Sequence, residues 1–252
     1  MSHRLVQGMI ASLIVAVGCS FARADDGAPA ILDKAIKALG GEEALSKVKA
    51  SSMKAKGTIN VMGNDNPFSI VVMVQGLDHS KQEVDAEFGG MKIKFVSILA
   101  GNKGWRSFAG MTMELEGDAL NEAKRAQYLQ LMTMNPTVLK GKGFKVATAP
   151  SEKVGGKTAL GLKVTGPDGK TCMMYVDEAT GLPVRMVAKV KDFQGEEFTQ
   201  SSTFSDYKDF QGIKKATKIE STRDGDKFQM MEVTEFKILD SVDPKTFAEP
   251  KD

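Results

Sequence analysis

From Lys54 onward, apolar and polar positions alternate with a period of two. The runs lie at about 55–62, 67–75, 81–88, 91–99, 104–109 and 111–115, and again at 144–149, 158–165, 171–177, 182–191, 197–207, 213–221 and 227–237. Successive side chains of an extended chain point to opposite faces, so this period predicts strands. Gly89-Gly90, Pro167-Asp168-Gly169, Ala179-Thr180-Gly181 and Arg223-Asp224-Gly225-Asp226 separate them with residues suited to tight hairpins. Two segments have helical spacing instead. In Ala28–Leu39, residues Ile31, Leu32, Ala35, Ile36 and Leu39 form one stripe and Gly40-Gly41 supplies the stop. A short turn through Ala44, Leu45 and Val48 follows it. A second helix runs over 118–134, capped by Asp118 and ending before Asn135-Pro136, because a residue preceding proline avoids the helical region. So many consecutive hairpins predict a mainly β (α+β) fold. It is a single large curved antiparallel sheet or half-barrel of about a dozen strands with two covering helices.

Some of these strands are apolar on both faces. In "KTCMMYVDEATGLPVRMVAKVKD", Leu182, Val184, Met186, Ala188 and Val190 share one face, and Arg185, Lys189 and Lys191 share the other. The preceding arm has Cys172, Met174 and Val176 on one face but Met173 and Tyr175 on its opposite. Ile70 to Val74 is a second such run, and Val96 to Leu99 nearly a third. Helices of about 12 and 17 residues give roughly 18 and 25 Å of cover, which is modest for a sheet this wide. The rest is expected to meet long loops, a second protein or an apolar ligand.

Methionine adds to that picture. Of 15 methionines, only Met1 and Met9 precede residue 25, and the others lie largely on strand runs. Their flexible, polarizable side chains suit surfaces that repack around varied apolar partners, although each also suits an irregular core. Met73, Trp105, Met173, Tyr175 and Met186 are the candidate lining residues of an apolar ligand site. Period two fixes which residues share a face, not which face is concave.

The N-terminus indicates export. Arg4 is followed by an uncharged run from Leu5 to Phe21 and the small-x-small triplet Ala22-Arg23-Ala24. This reads as a signal peptide over residues 1–24, cleaved after Ala24, leaving 25–252 as a single half-barrel domain in the periplasm. A competing lipobox at Val15-Ala16-Val17-Gly18-Cys19 would instead give a membrane-anchored lipoprotein; otherwise membrane contact is only transient. The formal charge of +2 belongs to Arg4 and Arg23, so the mature chain is near neutral and shows no nucleic-acid footprint. Cys172 is then a lone thiol, expected to be buried and inert.

Catalytic chemistry is sparse. After the leader, His79 is the one histidine, which excludes a multi-histidine metal site. Asp78-His79-Ser80 has triad residue types, but as neighbours in a turn they cannot form triad geometry by themselves. Nucleophile-elbow, phosphate-loop and dinucleotide motifs are missing, so no catalytic residue, metal or cofactor is expected. A carboxylate-based hydrolase stays open, since Asp and Glu are plentiful, yet nothing singles out a pair.

The opening helix running into "KAKGTI" at 54–59, "QGLDHSKQEV" at 75–84 and "LAGNKGW" at 99–105 resemble the lipoprotein-localisation (LolA/LolB-like) superfamily. "YVDEATGLPVRM" at 175–186, "SDYKDFQGIKKATKI" at 205–219 and "FAEP" at 247–250 are similar to an exported subgroup with that fold. The resemblance implies an antiparallel half-barrel whose concave apolar side, lidded by helices, binds acyl chains. Lys81 stands where the carriers have a lid-holding arginine, and Arg106-Ser107-Phe108 where they continue from the Trp with tyrosine and proline. The expected function is therefore an exported, non-enzymatic binder or carrier of a lipid or other apolar ligand. The alternative is an envelope sensor or scaffold that docks an exported protein partner.

Overall fold

The computed structural model describes residues 27–192 and 194–250. The leader, its cleavage site and Cys19 lie outside the described residues. The chain opens with α1 (Ala28–Leu39) and α2 (Glu42–Ser46), followed by β1 (Ala50–Val61), β2 (Asn64–Gln75), β3 (His79–Phe88), β4 (Met91–Ala100), β5 (Lys103–Phe108) and β6 (Met111–Glu114). Helix α3 (Gly117–Met134) and a 3-10 turn (Pro136–Lys140) interrupt the strands. They resume as β7 (Lys145–Val154), β8 (Lys157–Thr165), β9 (Thr171–Asp177), β10 (Pro183–Lys191), β11 (Glu197–Phe210), β12 (Ile213–Arg223) and β13 (Asp226–Leu239), before a last 3-10 turn at Pro244–Phe247.

All 13 strands form one antiparallel sheet, ordered β6-β5-β4-β3-β2-β1-β13-β12-β11-β10-β9-β8-β7. Two meanders are thus joined at the centre by the first and last strands, with Ala50 opposite Leu239 and Ile59 opposite Gln229. The backbones meet so closely that a Cβ on Gly57 would stand 1.8 Å from the Met230 carbonyl oxygen, so only glycine fits there. The curved sheet stays open, with β6 and β7 as its edges, and the helices cover one face: a mainly β half-barrel. Helix α3 starts at Gly117 with Glu116 as its N-cap, and no side chain caps it; Asp118 sits inside the first turn.

Directly opposed residues of an antiparallel pair share a face, so the registers separate the two sides. On the inner, helix-covered side, Leu32, Ala35, Ile36 and Leu39 of α1 pack with Leu162, Val164, Cys172, Met174, Val176 and Ala188. Leu131 and Met134 of α3 pack on Met53, Ala55, Val72, Val74, Val233 and Phe236. The outer side is dry in one place. There Val242 and Phe247 of the C-terminal segment close over Ala50, Val96, Ile98 and Trp105, with Met73 against them. The Val242 amide donates to Gln75 Oε1 at 2.8 Å and holds that segment down. Phe247→Ala is expected to cost about 3 kcal/mol, at the lower end for a buried phenylalanine because a terminal segment can settle. It should also move the emission of the chain's one tryptophan, Trp105, to longer wavelength as water reaches the ring. Urea unfolding followed at that emission measures both.

Candidate ligand-binding face

Helix α3 is fastened across the inner face by polar bonds. Gln82 Nε2 donates to Gln130 Oε1 at 3.3 Å, and Gln127 Nε2 to the Gly76 carbonyl at 2.9 Å. On the other flank Arg125, 1% exposed, donates from Nη1 to Asp168 Oδ2 at 3.0 Å, from Nη2 to the Thr171 carbonyl and from Nε to the Lys189 carbonyl, both at 3.2 Å. Its Nη1 also contacts the Tyr128 hydroxyl, which donates to Asp168 Oδ1 at 2.9 Å. Burial pushes the Asp168 carboxyl upward, but Tyr128, the Lys170 amide and Arg125 together outweigh that and hold it below the ordinary range. Beside this network a cavity of about 470 Å³ lies between the β2–β3 and β4–β5 turns and the β8–β9 turn, lined by Leu77, Asn102, Lys124, Tyr128, Phe144 and Pro167.

From the edge of α3 the inner face continues toward β6, half-buried at Ile70, Val84 and Phe95 and exposed from Phe108 onward. Ile70 lies opposite Val84, Val84 opposite Phe95, Phe95 opposite Phe108 and Phe108 opposite Met111, one apolar row across five strands. The next row, Gln82, Ser97, Arg106 and Met113, runs beside it on the same face. Phe108, Met111 and Met113 are 45%, 67% and 59% exposed. Across the trough Val190 opposes Phe198, and Ile219 opposes both Phe204 and Met231. A continuous apolar row that opens toward a sheet edge is what a chain-like ligand needs, and singly exposed hydrophobics do not produce it.

No family model matches the sequence, and no curated protein matches it. Solved structures match in shape. A LolA superfamily protein from Nitrosomonas europaea superposes with a TM-score of 0.58 at 13% identity, over 88% of this chain and 97% of that one. The fold is LolA-like. A DUF1329 family protein from Desulfovibrio piger gives 0.55 at 15% identity, over 88% and 98% of the two chains. A domain assigned as an outer membrane lipoprotein-sorting protein, from Vibrio parahaemolyticus, gives 0.53 at 12% identity, over 86% and 95%.

Within the LolA-like half-barrel the five lining candidates part company. Met186 is on the inner face, opposite the fully buried Met174 and packed against the α1 core. Met73 and Trp105 are on the outer face, beneath Val242 and Phe247. Met173 and Tyr175 also face outward, away from the helices, because their neighbours Cys172, Met174 and Val176 take the inner side. On the outer face of β9, Met173 and Tyr175 are half-buried, and a side chain from β10 lies against the tyrosine. The Arg185 guanidinium lies 6.0 Å from the Tyr175 ring centre and donates to Glu152 Oε1 at 2.8 Å and Ser201 Oγ at 2.9 Å. Lys81 pairs outward with Glu83 at 2.7 Å and so cannot reach a helix on the inner side. Burial pushes the Cys172 thiol up to about 12, which makes it unreactive at neutral pH. His79 Nδ1 sits 3.0 Å from Asp78 Oδ1 and its ring tilts against Phe247 at 5.3 Å. The residues that the sequence reading did not single out are Arg106 and Phe108 on β5 and Arg223 on β12. The signal was present, since Arg106 and Phe108 are two apart, but its meaning depends on knowing which side the helices take.

Proposed function

We propose that this chain is an exported, non-enzymatic binder or carrier of a lipid or other apolar ligand, held on the inner face of the half-barrel. The observation that carries the proposal is the apolar row from Ile70 to Met111, which leaves the α3 cluster at Ile70 and is open at Phe108 and Met111. The LolA-like fold supports it, as does the domain assigned to lipoprotein sorting that shares the fold. Full burial of a 16-carbon chain is worth about 12 kcal/mol at about 0.8 per CH₂, and an open trough that covers half of it about 6. Before ordering costs that corresponds to a Kd of tens of micromolar, weak enough for release. Tighter holding would need α3 to fold over the chain or a second anchor for the ligand.

The test uses protein expressed from the full-length chain and purified from the periplasm. Native mass spectrometry should show an adduct in the acyl-lipid range, and the neutral dye N-phenyl-1-naphthylamine should brighten on binding. Phe108→Asp with Met111→Asp should weaken dye binding by at least tenfold without loss of stability, because both side chains are exposed in the free protein. A bare protein mass with no dye uptake would overturn the proposal. The exposed methionines beside the free edge of β6, Met111 and Met113, would then point to the second reading, a docking surface for an exported protein.

A further inference from the structure

The four described arginines divide into two kinds. Arg125 and Arg185 each bond a carboxylate, at 3.0 and 2.8 Å. Arg106 and Arg223 pair with no carboxylate among the described residues, and both lie on the inner face. Arg106 opposes Ser97 and Met113; Arg223 opposes Gln200 on the strand whose Ser202 opposes Met186. The Arg106 Nε is enclosed and bonds to nothing, and its guanidinium carbon stands 5.7 Å from the Phe95 ring centre. The Arg223 guanidinium carbon lies 3.6 Å over Phe228 and 5.2 Å from Phe198, with a single bond from Nε to Gln200 Oε1 at 3.1 Å. Burial lowers the pKa of both, and one carboxylate, Asp192 on the β10–β11 turn, partly offsets that in each case. Asp192 is not within ion-pair distance of either, and its Oδ1 accepts instead from the Gln194 and Glu196 amides at 2.8 and 2.9 Å.

Two partly desolvated guanidinium groups, backed by aromatic rings and without a carboxylate partner, lie on the inner face within reach of the charge of the same residue, Asp192. Removing water from a cation costs free energy unless an anion replaces the water, and the planar fork of arginine matches a carboxylate or phosphate with two parallel bonds. We propose that Arg106 and Arg223 receive the anionic head, a carboxylate or phosphate, of an amphiphile whose chain lies along Phe95, Phe108 and Phe198. The assignment rests on the apolar-ligand reading and adds the charge of the ligand to it. It also supplies the second anchor that the half-covered chain lacks.

The experiment compares dodecanoic acid, dodecyl phosphate, dodecanol and methyl dodecanoate as displacers of N-phenyl-1-naphthylamine, with the full-length chain's periplasmic product. The wild type should bind the acid and the phosphate at least tenfold more tightly than the alcohol and the ester. Preference for the acid alone would mean a carboxylate site, and for the phosphate alone a phosphate site. Arg106→Gln with Arg223→Gln should abolish the difference between the two anions and the two neutral compounds. Arg106→Lys with Arg223→Lys keeps the charge and the apolar stem, so part of the preference should survive even if the glutamine pair packs poorly. Equal wild-type affinity for acid, phosphate, alcohol and ester would overturn the anionic-head assignment and leave the apolar reading standing. No binding of any of the four would overturn both.

Discussion

Arg125→Leu is expected to lower the stability of the folded chain by about 3–5 kcal/mol, as removal of one partner of a buried ion pair does. The side chain is 1% exposed, and its guanidinium serves Asp168, Tyr128 and two carbonyls at once. Truncation leaves the Asp168 carboxylate without its cation and the Thr171 and Lys189 carbonyls each without a donor. It also frees one flank of α3, so hydrogen exchange in 117–134 should rise further than in the sheet. The same network predicts acid sensitivity. Asp168 is held below its ordinary 3.8, so its contribution is complete above about pH 4 and is lost as pH falls through the folded value. Asp168→Asn should therefore flatten the acid limb of a urea-midpoint profile relative to wild type. An acid limb unchanged in Asp168→Asn would remove that role from Asp168.

Local pattern was enough for the elements, because alternation and helical stripes are properties of neighbours in sequence. Helix Ala28–Leu39 ends at the residue before Gly40, and every strand run has a strand in the fold. The inner face was not legible, because distant segments decide it. Met73 alternates with Val72 whichever way β2 turns; what sends Met73 outward is the pairing of β1 with β13 and the C-terminal segment laid over Trp105. Tyr175 is turned outward by the α1 stripe that claims Cys172, Met174 and Val176. The doubly apolar strands needed less foreign cover than their composition suggests. Arg185 lies over one of them and Phe247 over another. Long charged side chains with apolar stems do this work on sheet surfaces, and period two does not reveal it.

The same distinction bears on function. Where α1 and α3 pack, the inner face is filled by their own side chains, so Met174 and Met132 are 0% exposed and serve as core. The proposed ligand site begins only where the helices stop, in the stretch that contains Arg106, Phe108 and Met111. Sequence density of methionine therefore marks two different things in this chain, gap-filling under helices and open surface beyond them.

Lys215→Met is expected to stabilise the protein at pH 7 by about 3 kcal/mol. Lys215 is 9% exposed, its Nζ stands 5.9 Å from the Phe236 ring centre, and among the described residues no carboxylate pairs with it. Burial pushes its pKa down from 10.5 to about 8. Each unit of difference between folded and unfolded states is worth about 1.4 kcal/mol, so the charged form costs about 3 kcal/mol in the fold. Below pH 8 both states carry the proton and the cost is complete. Between about 8 and 10.5 the folded chain releases the proton while the unfolded chain keeps it, so wild-type stability rises with pH. The advantage of the methionine variant should therefore shrink steadily from pH 8 toward 10. Comparing the two proteins at each pH cancels the buried Tyr128 and Tyr207, whose raised pKa values act in the opposite direction there. A gap that holds constant from pH 7 to 10 would mean that the ammonium keeps its water in the folded chain. A variant less stable than wild type would mean that the lysine stem packs better than methionine can, and that packing, not charge, holds it there.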